Sequence, residues 1–156
     1  MNHKEFEHLK NRQLPERERI RYYIGIDTGD NTGYAVWDAL EQRLVAVETL
    51  MIHQAIIRVL EHSEQHEYKI HVIVEDARKR KIYKAESKHY LQGVGSVKRD
   101  ANIWEDFLKD YNISYEMRTP RNTKMFDAAQ FNEQFNWKGR TSEHSRDAAL
   151  MIVNLK

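Results

Sequence analysis

Residues 22–37, which read YYIGIDTGDNTGYAVW, constrain the fold of this chain more than any other stretch. Two apolar runs flank a turn rich in glycine, aspartate and asparagine, a pattern that predicts a β-hairpin. Strand side chains alternate between two faces, so Ile24 and Ile26 share one face and Asp27 lies on the other. A carboxylate in such an apolar strand needs a cation, a metal or hydrogen-bond donors. An aspartate that only caps its own turn is an equally good interpretation of the isolated motif.

A second apolar strand also ends in a carboxylate. Residues 68–75, YKIHVIVE, follow a helix predicted over residues 50–66 by its apolar stripe. A strand, a helix and a further strand predict a crossover to a parallel neighbour of the first strand. Glu75 is then expected beside Asp27 at one end of the sheet, whereas Asp76 is expected on the opposite face.

The remaining elements complete an α/β pattern. A third strand after the hairpin makes an antiparallel meander, and the apolar periodicity of the second half predicts helices separated by one short strand. The predicted ranges are strand 43–48, helix 94–111, strand 113–118, helix 124–137 and helix 141–155.

The last helix is expected to carry polar side chains inward. Its sequence, TSEHSRDAALMIVNL, starts with a Thr141 or Ser142 cap. The i,i+3 spacing of His144 and Asp147 places both on the face that packs on the sheet. With the carboxylates of the two strands they form a donor set suited to Mg²⁺ or Mn²⁺, and two such ions can activate water and stabilise a leaving oxygen.

A basic segment follows the second acidic strand. The formal net charge is +1, yet residues 77–99 hold eight basic side chains against one acid, a local balance of +7. This charge distribution is typical of a polyanion-binding surface, although a solvated helix face is the usual alternative. Tyr83 lies among the bases, where it can stack on an unpaired nucleobase or pack locally. The candidate nucleic-acid contacts are Arg78, Lys79, Arg80, Lys81, Tyr83, Lys84 and Lys88.

The bulk composition narrows the class of protein. The 156 residues fit one domain, residues 22–156, preceded by an N-terminal extension over residues 1–21. The absence of cysteine excludes disulfides and thiolate metal sites and fits a cytoplasmic protein. We expect no membrane span and no signal peptide, because no apolar stretch is long enough and the N-terminus is polar.

Three motifs resemble those of the RuvC Holliday-junction resolvases of the ribonuclease H-like superfamily: GIDTGDNTGYAV, VIVEDA and HSRDAALMIV. The resemblance implies a ribonuclease H-like α/β fold, a five-stranded mixed sheet flanked by helices. It further implies metal-dependent nicking of branched DNA, chiefly Holliday junctions, by a homodimer. The implied cofactor is a pair of Mg²⁺ or Mn²⁺ ions. The implied catalytic and metal-binding residues are Asp27, Glu75, His144 and Asp147, with Lys124 as a further functional lysine.

Other functions stay open on the sequence alone. ATPases of the actin and hexokinase type begin with a similar acidic hairpin, but they need two such domains and this chain is too short. A ribonuclease H-like or less specific structure-selective nuclease uses similar carboxylates. A catalytically inactive DNA-binding module is disfavoured, because all four ligand positions hold competent residues.

Overall fold

The computed structural model describes residues 19–65, 68–79, 88–120 and 126–156. These residues form five strands, four α-helices and one short 3₁₀ turn. In chain order they are β1 (Ile20–Asp27), β2 (Asn31–Asp38), β3 (Arg43–Met51), α1 (Ile52–Gln65), β4 (Lys69–Glu75), the 3₁₀ turn (Ala77–Lys79), α2 (Lys88–Asp110), β5 (Tyr115–Arg118), α3 (Ala128–Phe135) and α4 (Glu143–Leu150).

The strands form one mixed sheet in the order β3-β2-β1-β4-β5. The pairs β1–β2 and β2–β3 are antiparallel, whereas β4 runs parallel to β1 and β5 parallel to β4. The predicted meander, the crossover through a helix and the five-stranded mixed sheet flanked by helices are therefore confirmed. No helix in the described ranges is long and apolar enough to cross a membrane.

Each face of the sheet carries its own core. Ile24 and Ile26 pack with α1 and α2 around the fully buried Trp104. The other face packs against α3 and α4 through Phe131 and Ile152. The alternation predicted for β1 is confirmed, so Asp27 lies on the face that α4 covers.

Two glycines allow α4 to lie directly on the sheet. A Cβ atom on Gly25 would lie 2.1 Å from the carbonyl oxygen of Ala148, and one on Gly33 would lie 2.0 Å from that of His144. Real Cβ atoms never come so close, so any side chain at either position would push the helix away. Gly33 is also the cross-strand partner of Asp27. The contact therefore sets the start of α4 beside the carboxyl end of β1.

The start of α4 is tied down by polar contacts. Ser142 is the cap, and its hydroxyl accepts a hydrogen bond from the backbone of Ser145 while the Ser145 hydroxyl accepts one from the backbone of Ser142. The hydroxyls of Ser142 and Thr49 lie 2.5 Å apart, which links the cap to β3. These bonds satisfy orphan helix donors and orient the first turn of the helix.

The final helix is shorter than predicted. It ends at Leu150 instead of residue 155, and Asn154 adopts a left-handed backbone with φ of 65°. The indole N–H of Trp37 donates to the carbonyl oxygen of Leu155 at 2.9 Å, and Gln42 donates to the same oxygen. β2 and the turn after it therefore bind the chain beyond the end of the helix, at Leu155.

The helix predicted over residues 124–137 is also shorter, because its ends are set by caps. Asp127 caps α3 in a capping box with Gln130, and Asn136 ends the helix in the left-handed conformation. Asparagine tolerates that conformation better than most residues. Residues 121–125 lie outside the described part of the chain.

We expect Gly33→Ala to destabilise the fold by about 2–3 kcal/mol, because overpacking forces α4 off the sheet. Urea denaturation measures the change. The matched control is Gly95→Ala in α2, where an added Cβ meets nothing within 4 Å. That variant should gain up to about 1 kcal/mol from helix propensity. Equal stability of the Gly33 variant and the wild type would contradict the close packing described here.

Candidate active site at the carboxyl end of β1

Asp27 is the centre of the site. It is the last residue of β1 and is only 7% exposed. The ring nitrogen Nδ1 of His144 lies 2.8 Å from its Oδ2 atom. A carboxylate only accepts hydrogen bonds, so this contact places the imidazole proton on Nδ1 and leaves Nε2 as the acceptor or ligand atom of a neutral ring. The side chain of His144 is half exposed to solvent.

Asp147 lies one turn beyond His144 on α4 and is partly buried. Burial raises the pKa of its carboxyl above the ordinary value, and the negative charges of Asp27 and Glu143 raise it further. Electrostatic interactions with His144 and Arg146 oppose this shift. Asp27 and Asp147 are therefore close enough for mutual repulsion.

Glu75 reaches the same end of the sheet from β4. The parallel register pairs Ile26 with Val74, so the next residues, Asp27 and Glu75, end their strands side by side. The hydroxyl of Thr28 donates to the carbonyl oxygen of Glu75 at 3.3 Å, which joins the two strand ends. The predicted placement of Glu75 beside Asp27 is confirmed at the level of strand register.

The four donor residues share one end of the sheet without forming a closed metal cage. Asp27 and His144 are in contact, Asp147 lies within electrostatic reach, and Glu75 ends the neighbouring strand. Within the described ranges, no group of three or more histidine, aspartate or glutamate side chains is arranged to hold an ion. The donor types nevertheless fit a hard divalent cation, because they are carboxylate oxygens with one imidazole nitrogen. Lys124 lies outside the described residues.

Sequence analysis missed an ion-pair cluster directly after Glu75. Asp76 is almost fully buried on the opposite face and binds the guanidinium of Arg78 through two bonds of 2.7 and 2.9 Å. Arg78 also contacts Glu105 on α2 at 2.6 Å and the amide of Asn102 at 2.7 Å. The Arg78 hydrogen bond holds the pKa of Asp76 below its ordinary range. This cluster fastens the end of β4 to α2.

The structure locates only part of the predicted nucleic-acid surface. Arg78 is engaged in the cluster just described, and Lys79 donates to the carbonyl oxygen of Met117 at 2.8 Å. Lys88 begins α2. The other predicted contacts, Arg80, Lys81, Tyr83 and Lys84, lie outside the described residues.

The glycines beneath α4 were not recognised as part of the site from the sequence. Gly25 shares the face of Asp27, and Gly33 is its partner on β2. Glycine on the same face as a strand carboxylate was the available signal, because a missing side chain there permits close approach of another backbone. The sequence could not show that the α4 backbone approaches these glycines, because that contact depends on where α4 packs.

Comparison with solved structures shows a likeness in fold. The chain is similar to T. thermophilus RuvC in complex with Holliday junction substrate, with a TM-score of 0.49 and 16% sequence identity over 81% of this chain and 87% of that chain. At that TM-score and identity, the likeness carries no inference about activity. The sequence matches no protein-family model and no curated protein.

We expect Asp147→Asn to stabilise the metal-free protein at neutral pH. The folded-state pKa of Asp147 is raised, so its ionisation costs stability as pH rises from the ordinary aspartate value through the raised one. The variant should therefore be more stable than the wild type at pH 7, and the difference should vanish near pH 3. Urea unfolding at both pH values measures it.

Asp106→Asn is the control for this prediction, because Asp106 is an exposed acid on α2. Its replacement should change stability by less than about 0.5 kcal/mol at either pH. A loss of stability in Asp147→Asn at pH 7 would show that the carboxylate is favourably compensated in the folded protein.

Proposed function

We propose that this protein is a divalent-metal-dependent endonuclease that cleaves phosphodiester bonds in branched DNA, with Holliday junctions as its substrate. Asp27, Glu75, His144 and Asp147 would hold Mg²⁺ or Mn²⁺ as a pair of ions. The observation that carries the proposal is the contact between Asp27 and His144 with the second aspartate one helical turn away.

Electrostatics supports a cation at this position. Asp27 is nearly buried, and its charge contributes to the raised pKa of Asp147. Two carboxylates held close in a partly desolvated site are unfavourable unless a cation compensates them. A divalent ion would supply that charge, and Glu75 at the end of β4 would add a further oxygen donor.

The ions and the residues around them would have separate roles in hydrolysis. When bound, the ions would activate a water molecule and stabilise the departing oxygen. The Asp27 contact orients the imidazole of His144, and Nε2 would ligate an ion or accept a proton. The packing of α4 on Gly33 holds the His144 imidazole beside the Asp27 carboxylate.

DNA binding is assigned to the basic segment between the 3₁₀ turn and α2. Arg78 and Lys79 anchor its beginning to α2 and β5, directly after Glu75. The following bases, Arg80, Lys81, Lys84 and Lys88, would neutralise phosphates, and Tyr83 would stack on an unpaired base at a branch point. We propose a homodimer, because paired cuts across a junction require two such sites.

We expect Asp27→Asn, Glu75→Gln and Asp147→Asn each to abolish cleavage while DNA binding persists, because each removes a metal-binding charge and little backbone support. Cleavage is measured on labelled four-way junctions with saturating Mg²⁺ or Mn²⁺, and binding is measured in EDTA. Parallel assays with flaps, plain duplex and RNA–DNA hybrids separate junction resolution from the less specific nuclease activities.

His144 provides a matched pair within the same assay. His144→Asp should stay active, because a carboxylate there is still a ligand, and His144→Ala should be severely impaired in both metals. Mn²⁺ should support cleavage at least as well as Mg²⁺, since it accepts nitrogen ligands more readily. Wild-type rates for any carboxylate variant, or for His144→Ala, would remove that residue from the active site.

We expect the triple variant Arg80→Ser, Lys81→Ser and Lys84→Ser to bind junctions more weakly and with a smaller salt dependence. Each lost phosphate contact should reduce the slope of log affinity against log salt by about 0.9. Fluorescence anisotropy at salt concentrations from roughly 50 to 200 mM measures the slope, because affinity that depends on phosphate contacts falls steeply over that range.

The variant Arg78→Ala tests whether Arg78 stabilises the fold or contacts a DNA phosphate. It should destabilise the fold by about 2–3 kcal/mol, because the buried Asp76 loses its hydrogen bonds from Arg78, and it should leave the salt slope unchanged. An unchanged slope in the triple variant would show that DNA approaches another surface. A reduced slope in Arg78→Ala would instead assign a phosphate contact to that residue.

A further inference from the structure

A cavity lies at the end of the sheet opposite the candidate active site. It has a volume of about 680 Å³ and is lined by the end of β2, the beginning of β3, the end of α3 and the residues after it. Trp37, in its wall, lies four residues along β2 from Gly33, the partner of Asp27. At ~3.3 Å per residue, about 13 Å of strand separates the two sites. We call it the β2–α3 cavity.

The apolar wall of the β2–α3 cavity is aromatic and fixed. Trp37, Phe135 and Trp137 line it, and all three also belong to the core that α3 and α4 form on this face. The indole N–H of Trp37 is held by the carbonyl oxygen of Leu155. The indole Nε1 of Trp137 is buried against Gly139, so a ligand would meet the ring of Trp137 and not its N–H. Fixed aromatic rings provide stacking surfaces for nucleobases of any sequence.

The polar side chains of the cavity can form hydrogen bonds with a ligand. Gln134, Asn136, Lys138 and Asn154 line it, and within the described chain none of these side chains makes a hydrogen bond or ion pair. Amide groups both donate and accept, as the edge of a nucleobase requires. Lys138 provides a positive charge with no competing carboxylate among the described lining residues, which favours a phosphate over a cationic group.

We infer that the β2–α3 cavity binds one unpaired nucleotide, with its base on Trp137 and its phosphate at Lys138. The volume falls within the ~300–1,000 Å³ typical of small-ligand sites. The aromatic wall, the amides and the cation match the base, its edge and the phosphate respectively. The cavity is a binding site separate from the carboxylates of the candidate active site and needs no metal.

Calorimetric titration in EDTA tests this site without cleavage. The probes are thymidine 5′-monophosphate, deoxyribose 5-phosphate and a single-stranded thymidine octamer. We expect the monophosphate and the octamer to bind, and deoxyribose phosphate to bind at least tenfold more weakly because it lacks the base. Tighter binding of the octamer identifies a DNA strand as the source of the nucleotide, and equal affinity identifies a free nucleotide.

Four variants, two in the cavity and two outside it, test whether the nucleotide binds in the cavity. Trp137→Leu should weaken binding of the octamer about tenfold. Lys138→Gln, an exposed substitution that leaves the core intact, should weaken it several-fold and reduce the salt slope by about 0.7. Lys69→Gln, an exposed lysine at the start of β4, should bind like the wild type. Asp27→Asn should also bind like the wild type, so loss of cleavage and loss of nucleotide binding are separate results.

Three results would overturn the inference. They are the absence of binding by the monophosphate and the octamer, equal affinity for deoxyribose phosphate, and wild-type affinity in Lys138→Gln. In the last case the octamer binds another surface, such as the basic segment.

Discussion

The close contact between α4 and the β1–β2 hairpin is the constraint on which the candidate site depends. Gly25 and Gly33 leave no Cβ atoms between the sheet and the carbonyl oxygens of Ala148 and His144. The first turn of α4 therefore lies beside the end of β1, and the imidazole of His144 reaches Asp27. A helix at an ordinary distance from a sheet of larger side chains would leave that carboxylate without this partner.

At the end of β4, neighbouring carboxylates on the two faces of the sheet have different roles. Glu75 ends the strand beside Asp27, whereas Asp76, one residue later, lies on the other face and binds Arg78. Arg78 in turn contacts Glu105 on α2. The alternation of strand side chains thus places one carboxylate at the candidate site and uses its neighbour to fasten the strand to a helix. A buried pair of this kind is costly to break, because the remaining charge is left without a partner.

Repulsion between nearby carboxylates gives the candidate site its chemical character. Burial and the nearby carboxylates raise the pKa of Asp147, while His144 already contacts Asp27. The folded chain therefore holds negative charge at a position where a cation would lower its energy. The same sheet has an aromatic cavity with an exposed lysine near its other end, so the α4 face combines two chemically different surfaces.

The sequence by itself determined the local elements and the face on which each strand residue lies. Period-two alternation placed Asp27 apart from Ile24 and Ile26, and the strand–helix–strand order predicted that Glu75 would end beside it. The i,i+3 spacing placed His144 and Asp147 on one helix face. These features depend on neighbours along the chain, so they are readable from spacing.

Only the tertiary structure decided how close these elements come and which charges meet. Three sets of contacts join residues far apart in sequence: the glycine contacts with α4, the ion pair of Arg78 with Glu105, and the bond from Trp37 to Leu155 beyond the end of α4. Helix ends moved from their predicted positions because caps and distant hydrogen-bond donors compete with helix propensity. Sequence periodicity gives the direction of a side chain, whereas packing between elements decides its partner.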